Sequence, residues 1–153
     1  MKISKHISYK EATFSSTAIR KGIDNTPNDY QLQNMRLLAE KIFEPLREWA
    51  GHPIAVNSFF RSDALNKAVK GAVGSQHTQG RAIDLDDTFG GKTNKQMFDY
   101  IVENLDFDQI IWEFGNDKNP DWIHVSYVSA DQNRKVKMKA KKVNGKTRYE
   151  KLV

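Results

Sequence analysis

The sequence contains no cysteine, and this absence limits both the cross-links and the metal sites that the chain can form. Without thiols it can have neither disulfides nor a thiolate zinc finger. Any metal site must therefore be built from histidine, aspartate or glutamate, and the chain has only 4 histidines. The set of candidate metal ligands is small.

Long apolar runs are also missing, including from the N-terminal segment MKISKHISYKEATFSS. A secretory signal needs such a run, and a membrane span needs a longer one. We therefore expect no signal peptide and no membrane span, and we expect the protein to be made in the cytoplasm. Work outside the cell would then require release by another factor.

The amino-acid composition is typical of a soluble folded domain, and its positive charge favours anionic surfaces. A chain of 153 residues with 39% hydrophobic residues can bury one sizeable core. The formal net charge of +5 favours nucleic acid, lipid head groups or a bacterial wall polymer as partner. Charge alone does not choose among these three.

We interpret the chain as a single domain, 1–153, with three parts. Residues 1–25 show no clear period and are interpreted as an N-terminal arm packed on the core. Residues 26–129 mix helical and strand patterns without regular alternation, which predicts an α+β fold with a largely antiparallel sheet flanked by helices. In 130–153, an Asn-Gly pair between two alternating basic runs predicts a C-terminal basic β-hairpin.

The main helix of the core is predicted to start at Thr26, as N-cap, with Pro27 in its first turn. Pro45 lies inside the helical pattern and should kink or interrupt it, because proline lacks a backbone donor. The helix is expected to end by Gly51. Its apolar stripe consists of Met35, Leu38, Ile42, Leu46 and Trp49.

Two strand-like segments carry polar side chains on one face. In RAIDLD, strict alternation places Ile83 and Leu85 on one face. Asp84 and Asp86 lie on the other. In WIHVSYV, His124 likewise lies opposite a row of apolar residues, so each strand is predicted to have one core face and one polar face.

His77, Asp84 and His124 can supply the three protein ligands of a catalytic zinc site, which keeps a fourth position open for water. If the two strands are neighbours, Asp84 and His124 point into one cleft that His77 reaches from its loop. Plainer interpretations stay open, since Asp84 can be a surface acid and His124 a buried histidine with satisfied hydrogen bonds. Asp86 shares the face of Asp84 and is the alternative ligand.

Three further side chains can contribute to chemistry. Asp121 precedes His124 by three residues and could act as a general base, provided that it lies in the turn or at a bulge. Arg61 offers a permanently charged fork for a carboxylate or oxyanion, with a surface salt bridge as the alternative. Glu113 could reach the cleft, but we expect it at the surface or behind the ligands.

The segments NSFFRSDALNKAVKGAVGSQHTQGRAIDLD and WIHVSY resemble a known family of zinc peptidases. It is the family of D-alanyl-D-alanine carboxypeptidases and L-alanyl-D-glutamate endopeptidases, on the hedgehog/DD-peptidase fold. The vancomycin-resistance dipeptidases and many phage endolysins are also members. The resemblance covers about Pro53 to Tyr127 and is carried by Arg-Ser after a strand, Ser-x-His, a later Asp, and an acid three residues before the last histidine.

Matched residue by residue, the resemblance implies one zinc ion per chain, held by His77, Asp84 and His124. It implies that Asp121 is the catalytic acid/base and that Arg61 holds the substrate carbonyl or carboxylate. Ser75, at the Ser of Ser-x-His, is implied to lie near the substrate or to hydrogen-bond the ligands.

Two departures from the family pattern concern the last segment. Many members have glutamate at the position of Asp121, and many have tryptophan directly before the last ligand, where this chain has Ile123. The resemblance is nearer to phage and prophage members, so the departures bear on substrate choice more than on metal binding.

We therefore expect a zinc metallopeptidase, a hydrolase of peptide bonds in bacterial peptidoglycan. It would be a D-Ala-D-Ala carboxypeptidase or a stem-peptide or cross-link endopeptidase, from a phage or prophage, that degrades the cell wall after holin-type release or from a virion. Its partners would be peptidoglycan stem peptides, with no nucleic acid, and it would be a monomer. The alternatives are a non-catalytic peptidoglycan-binding module on the same fold and, from charge alone, a nucleic-acid-binding protein.

Overall fold

The structure, a computed structural model, describes all residues of the chain, 1–153. A π-helical segment, Ala39–Phe43, joins two of its helices, and a short 3₁₀ helix spans Gln76–Gln79. The other elements follow in the order β1 (Lys2–Ser4), β2 (Ile7–Ser8), α1 (Tyr9–Thr13), α2 (Ser16–Lys21), α3 (Asp29–Leu38), α4 (Glu44–Ala50), β3 (Ala55–Ser58), α5 (Asp63–Ala68), β4 (Ala82–Asp86), α6 (Asn94–Asn104), β5 (Gln109–Glu113), β6 (Trp122–Ser126), β7 (Val136–Val143) and β8 (Lys146–Lys151).

The main sheet has six strands in the order β3-β4-β6-β5-β7-β8. β5 and β7 run parallel, whereas every other pair of neighbours is antiparallel. One face packs against α3, α4 and α6 in a continuous hydrophobic core. The prediction of an α+β fold with a mostly antiparallel sheet flanked by helices is therefore confirmed.

Alternation along the strands divides apolar from polar residues. Ile83 and Leu85 of β4 are fully buried in the core, as are Ile123 and Val125 of β6. The residues between them face the other side of the sheet, because successive side chains of a strand point to opposite faces. That second face carries Asp84 of β4 and His124 of β6.

The long helical segment begins later than the sequence pattern predicts. The prediction of Thr26 as N-cap is wrong: α3 starts at Asp29, and Asn28 caps it in a reciprocal capping box with Gln31. The interruption predicted at Pro45 takes the form of the π-helical turn, after which α4 starts with proline in its first turn. The missing donor of proline costs little at that position.

The N-terminal residues form short elements rather than a plain arm. β1 pairs with β2, and Ser8 and Ser15 cap the helices that follow. Ile3 and Ile7 are buried in the main core. These elements have two to six residues each, which is too short for a sequence period to reveal them.

The C-terminal residues form the hairpin β7–β8 around Asn144 and Gly145. Both turn residues have positive φ, at 53° and 77°, as a type I′ turn requires. Because β7 pairs with β5, the hairpin extends the main sheet instead of standing apart from it. Ala140, in the middle of β7, is fully buried.

None of the helices combines the length and the apolar character needed to cross a membrane.

Candidate active site

An open cavity of about 770 Å³ lies over the polar face of the sheet. Its floor includes Asp84, Ile111 and His124, from three neighbouring strands. The segment 69–76 forms one wall, and residues of β7 and β8 form part of the opposite side. The cavity is thus built by the core strands, one loop and the C-terminal hairpin together.

Three side chains with metal-ligating atoms converge on this floor. Asp84 and His124 are direct partners in the β4–β6 register, and Asp84 Oδ1 lies 3.0 Å from His124 Nδ1. His77 approaches from the 3₁₀ helix, with its Nε2 3.3 Å from the same oxygen. One ligand atom from each residue lies within 4.8 Å of the others, so the three can hold one metal ion.

The ring of His77 is oriented by the backbone. Its Nδ1 lies 2.7 Å from the carbonyl oxygen of Phe59. Since a carbonyl only accepts, Nδ1 carries the proton and Nε2 keeps its lone pair. Nε2 is buried and has no hydrogen-bond partner. Such an atom, facing a carboxylate and a second histidine, has the state that a metal ligand needs.

Electrostatics favour the deprotonated forms that metal binding requires. Burial lowers the pKa of His77, so this ring is neutral at neutral pH. For Asp84, burial alone would raise the pKa, but contacts with the two histidines outweigh it and hold the pKa well below its ordinary value. The group offers two imidazole nitrogens and one ionised carboxylate, a donor set typical of a catalytic zinc site.

Asp86, the alternative ligand, lies outside this group. Its carboxylate accepts a hydrogen bond from Asn94 Nδ2 at 2.7 Å and another from the hydroxyl of Thr88. These bonds connect the end of β4 to the start of α6. The sequence prediction of Asp84 over Asp86 agrees with this arrangement.

Arg61 borders the ligand group. Its Nε donates to Ser58 Oγ at 3.1 Å, and its Nη1 donates to Asn66 Oδ1 at 3.2 Å. Its Nη2 lies 3.5 Å from Asp84 Oδ2. Because two neutral side chains hold the guanidinium in place at the cavity wall, it can bind a further anionic or carbonyl oxygen.

Ser75 lines the cavity and also caps the turn that carries His77. Its Oγ accepts a hydrogen bond from the backbone amide of His77 at 3.3 Å, and its carbonyl accepts one from Thr78 at 2.6 Å. The structure thus places Ser75 both beside the cavity and behind a ligand, the two positions that the sequence left open.

Comparison with protein families decides the classification. The family model described as Peptidase M15 matches residues 5–126. The chain belongs to the peptidase M15 family. It is therefore a metallopeptidase by family, and members of the family are typically zinc-dependent. Among curated proteins, no match is found.

The M15 match includes the three ligand residues and Arg61, but it ends before the hairpin. Met138, Thr147 and Tyr149 of the hairpin nevertheless line the cavity. A part of the cavity wall therefore lies outside the region that the family model describes.

Asp121, predicted as the catalytic acid/base, is exposed and does not line the cavity. Its amide donates to the carbonyl of Glu113 at 2.9 Å, although the strand register sets Trp122 opposite Glu113, so regular pairing with β5 ends before Asp121. Its carbonyl accepts a hydrogen bond from Asn94 Nδ2 at 3.2 Å. Its catalytic role stays a prediction from the M15 resemblance.

Glu113 lines the cavity of this M15 chain and is only 8% exposed, so of the positions considered from sequence it takes the one in the cleft and not the one at the surface. Burial is the main cause that raises its pKa to about 7. Strand alternation contained the signal, because Ile111 and Glu113 must share a face in QIIWE. The sequence could not show which strand lies next to β5. That strand is β6, which carries His124.

Proposed function

We propose that the protein is a zinc-dependent peptidase that hydrolyses peptide bonds of bacterial peptidoglycan. The observation that carries the proposal is the convergence of His77, Asp84 and His124 on the floor of an open cavity in an M15 chain. The fold would be of the hedgehog/DD-peptidase type, in which such a group lies on the sheet.

The three ligands fit zinc through their donor types and through the unpaired, buried Nε2 of His77. A zinc ion held there would supply Lewis-acid chemistry, polarising a peptide carbonyl and activating a water molecule. Arg61 contributes a fixed positive charge beside the reacting carbonyl or a neighbouring substrate carboxylate, where it stabilises developing negative charge.

The cavity suits a short anionic peptide better than a globular protein substrate. Arg61 and Lys70 line it, and stem peptides of peptidoglycan carry free carboxylates. Both a D-Ala-D-Ala carboxypeptidase and a stem-peptide or cross-link endopeptidase agree with an open cavity of about 770 Å³. We propose a phage or prophage lytic enzyme, which would reach the wall after holin-type release or from a virion.

If the protein were instead a non-catalytic binding module, the basic hairpin would have to bind the anionic wall. Lys139 and Lys141, which would engage wall phosphates, are paired with Asp117 and Glu150 at 2.6 Å and 2.9 Å. This partial neutralisation weakens the hairpin as an anion-binding surface. It weakens the case for nucleic acid in the same way.

Mass spectrometry of peptidoglycan fragments tests the proposal. The zinc-loaded protein should release defined fragments from at least one wall type, should lose activity on chelation and should recover it with zinc. His77→Ala should be inactive, whereas Asp86→Asn should retain activity. Strong binding to sacculi with no fragment released from any wall type would instead establish the binding module.

A further inference from the structure

Two carboxylates line the cavity, those of Asp84 and Glu113. Asp84 is committed to the ligand group by its contacts with both histidines. Glu113 is therefore the one acid in the cavity that is free to exchange a proton with substrate or water.

The strand register places Glu113 beside the ligands. In β5, Ile111 lies directly opposite His124, and Glu113 lies opposite Trp122. Residues two apart on one strand share a face, so Glu113 is a diagonal neighbour of His124 across the β5–β6 pair. On its other side, Ala140 pairs with Glu113 and separates it from Tyr149. The small side chain of Ala140 keeps the cavity open next to the carboxylate.

The Glu113 carboxylate has no partner within the protein. No hydrogen bond or salt bridge of the structure involves its oxygens, although the residue is 8% exposed. The titratable groups around it are His124, Asp84 and Arg61, with Tyr149 on the hairpin side. A buried carboxyl without a fixed donor can take up a proton from one partner and release it to another.

We propose that Glu113, not Asp121, is the catalytic acid/base of the peptidase reaction. Its carboxylate takes a proton from the attacking water while the hydroxide oxygen forms a bond to the peptide carbon. As the C–N bond breaks, the same proton passes from Glu113 to the leaving amine, and the carboxylate is regenerated. This inference rests on the proposed function.

The kinetic test compares three variants under zinc-replete conditions. Glu113→Gln, which keeps the size of the side chain, should lower kcat by more than about 100-fold, with KM within a few-fold of the unmodified protein. Asp121→Asn should lose far less activity than Glu113→Gln. Glu150→Gln, an exposed acid of the hairpin, is the control and should behave as the unmodified protein. Zinc content, measured by mass spectrometry of the metal, should be equal in all.

A second readout does not depend on turnover. Infrared absorption of protonated carboxyl groups is followed between about pH 4.5 and about pH 7. The unmodified protein should show the absorption of one carboxyl group that is still protonated in this range, and Glu113→Gln should lack it. The measurement is made on the purified protein after metal removal. Asp121→Asn should retain the signal.

The outcomes separate the two proposals. If the unmodified protein cleaves peptidoglycan and Asp121→Asn abolishes cleavage while Glu113→Gln does not, the assignment of Glu113 is overturned and the proposed function stands. If no wall is cleaved, the proposed function fails, whatever the infrared result. Full activity of Glu113→Gln, with unchanged zinc content, also overturns the assignment.

Discussion

Asp84 and His124 lie directly opposite each other on β4 and β6, and their Oδ1 and Nδ1 atoms are 3.0 Å apart. A slip of either strand by one residue would turn the ligand side chain of that strand toward the core. The strand register is therefore what creates the ligand group.

Asp84→Asn should lower zinc affinity by more than about 100-fold, because loss of a direct ligand exceeds the usual cost of losing an outer partner. Zinc content after dialysis against a zinc buffer measures the effect. Asp86→Asn is the matched control, since it alters the neighbouring acid of the same face. Retention of zinc by Asp84→Asn together with its loss from Asp86→Asn would reverse the ligand assignment.

Asp108 should influence metal binding without touching the metal. The residue is 1% exposed, and its carboxylate accepts bonds from Gln76 Nε2 at 2.9 Å and from the guanidinium of Arg134 at 2.8 Å and 3.0 Å. It thus ties the turn that carries His77 to the start of the hairpin. Asp108→Asn should lower the free energy of unfolding by about 1–3 kcal/mol and weaken zinc binding. Urea unfolding and zinc titration measure the two effects, and zinc affinity equal to that of the unmodified protein would contradict the link.

Gly71 should control the position of Arg61. A methyl group at Gly71 would collide with Asn66 Oδ1 and lie 3.0 Å from Arg61 Nη1. Gly71→Ala should therefore break the bond from Arg61 to Asn66 and lower kcat/KM by about tenfold, with zinc content unchanged.

Asn66→Ala tests this explanation, since it removes the same acceptor without a collision. The double variant should then be no worse than Asn66→Ala alone, because truncation of Asn66 relieves the clash. Simple additivity of the two kinetic losses would show that Gly71→Ala acts by another route.

Local patterns predicted the faces of the strands well. Alternation in RAIDLD and WIHVSYV placed Asp84 and His124 on the polar faces, as the structure has them. Local patterns do not state which strands are neighbours, because pairing is decided by contacts far apart in sequence. For this reason the parallel pairing of β5 with β7 and the burial of Glu113 were not predicted. The position of Asp121 was also left open, because its facing depended on a bulge that sequence alone could not decide.

The raised pKa of Glu113 should make stability depend on pH. The carboxyl holds its proton up to about pH 7 when folded but only to about pH 4.5 when unfolded. The folded state thus binds more protons between these values, and the free energy of unfolding of the metal-free protein falls as pH rises through that range. In Glu113→Gln this fall should be smaller, which makes the variant more stable above pH 7 by roughly 3 kcal/mol at most.

Urea unfolding at several pH values measures this difference. Other groups, including His77, contribute to the slope in both proteins, so the difference between them isolates Glu113. Glu150→Gln should follow the unmodified protein. Parallel curves for Glu113→Gln and the unmodified protein would show that folding does not raise the pKa of Glu113.

Tyr149 should bind substrate from the hairpin side of the cavity. Its ring is half-exposed and lines the cavity with Thr147, whereas Arg148 between them points to the opposite face. Tyr149→Ala should raise KM by about tenfold with little change in kcat, since it removes an aromatic contact and no reacting group. Arg148→Ala is the matched control, with the same loss of bulk on the other face. Equal effects of the two variants would mean that the hairpin contributes stability only. A selective effect of Tyr149→Ala would mean that residues beyond the M15 match help to choose the substrate.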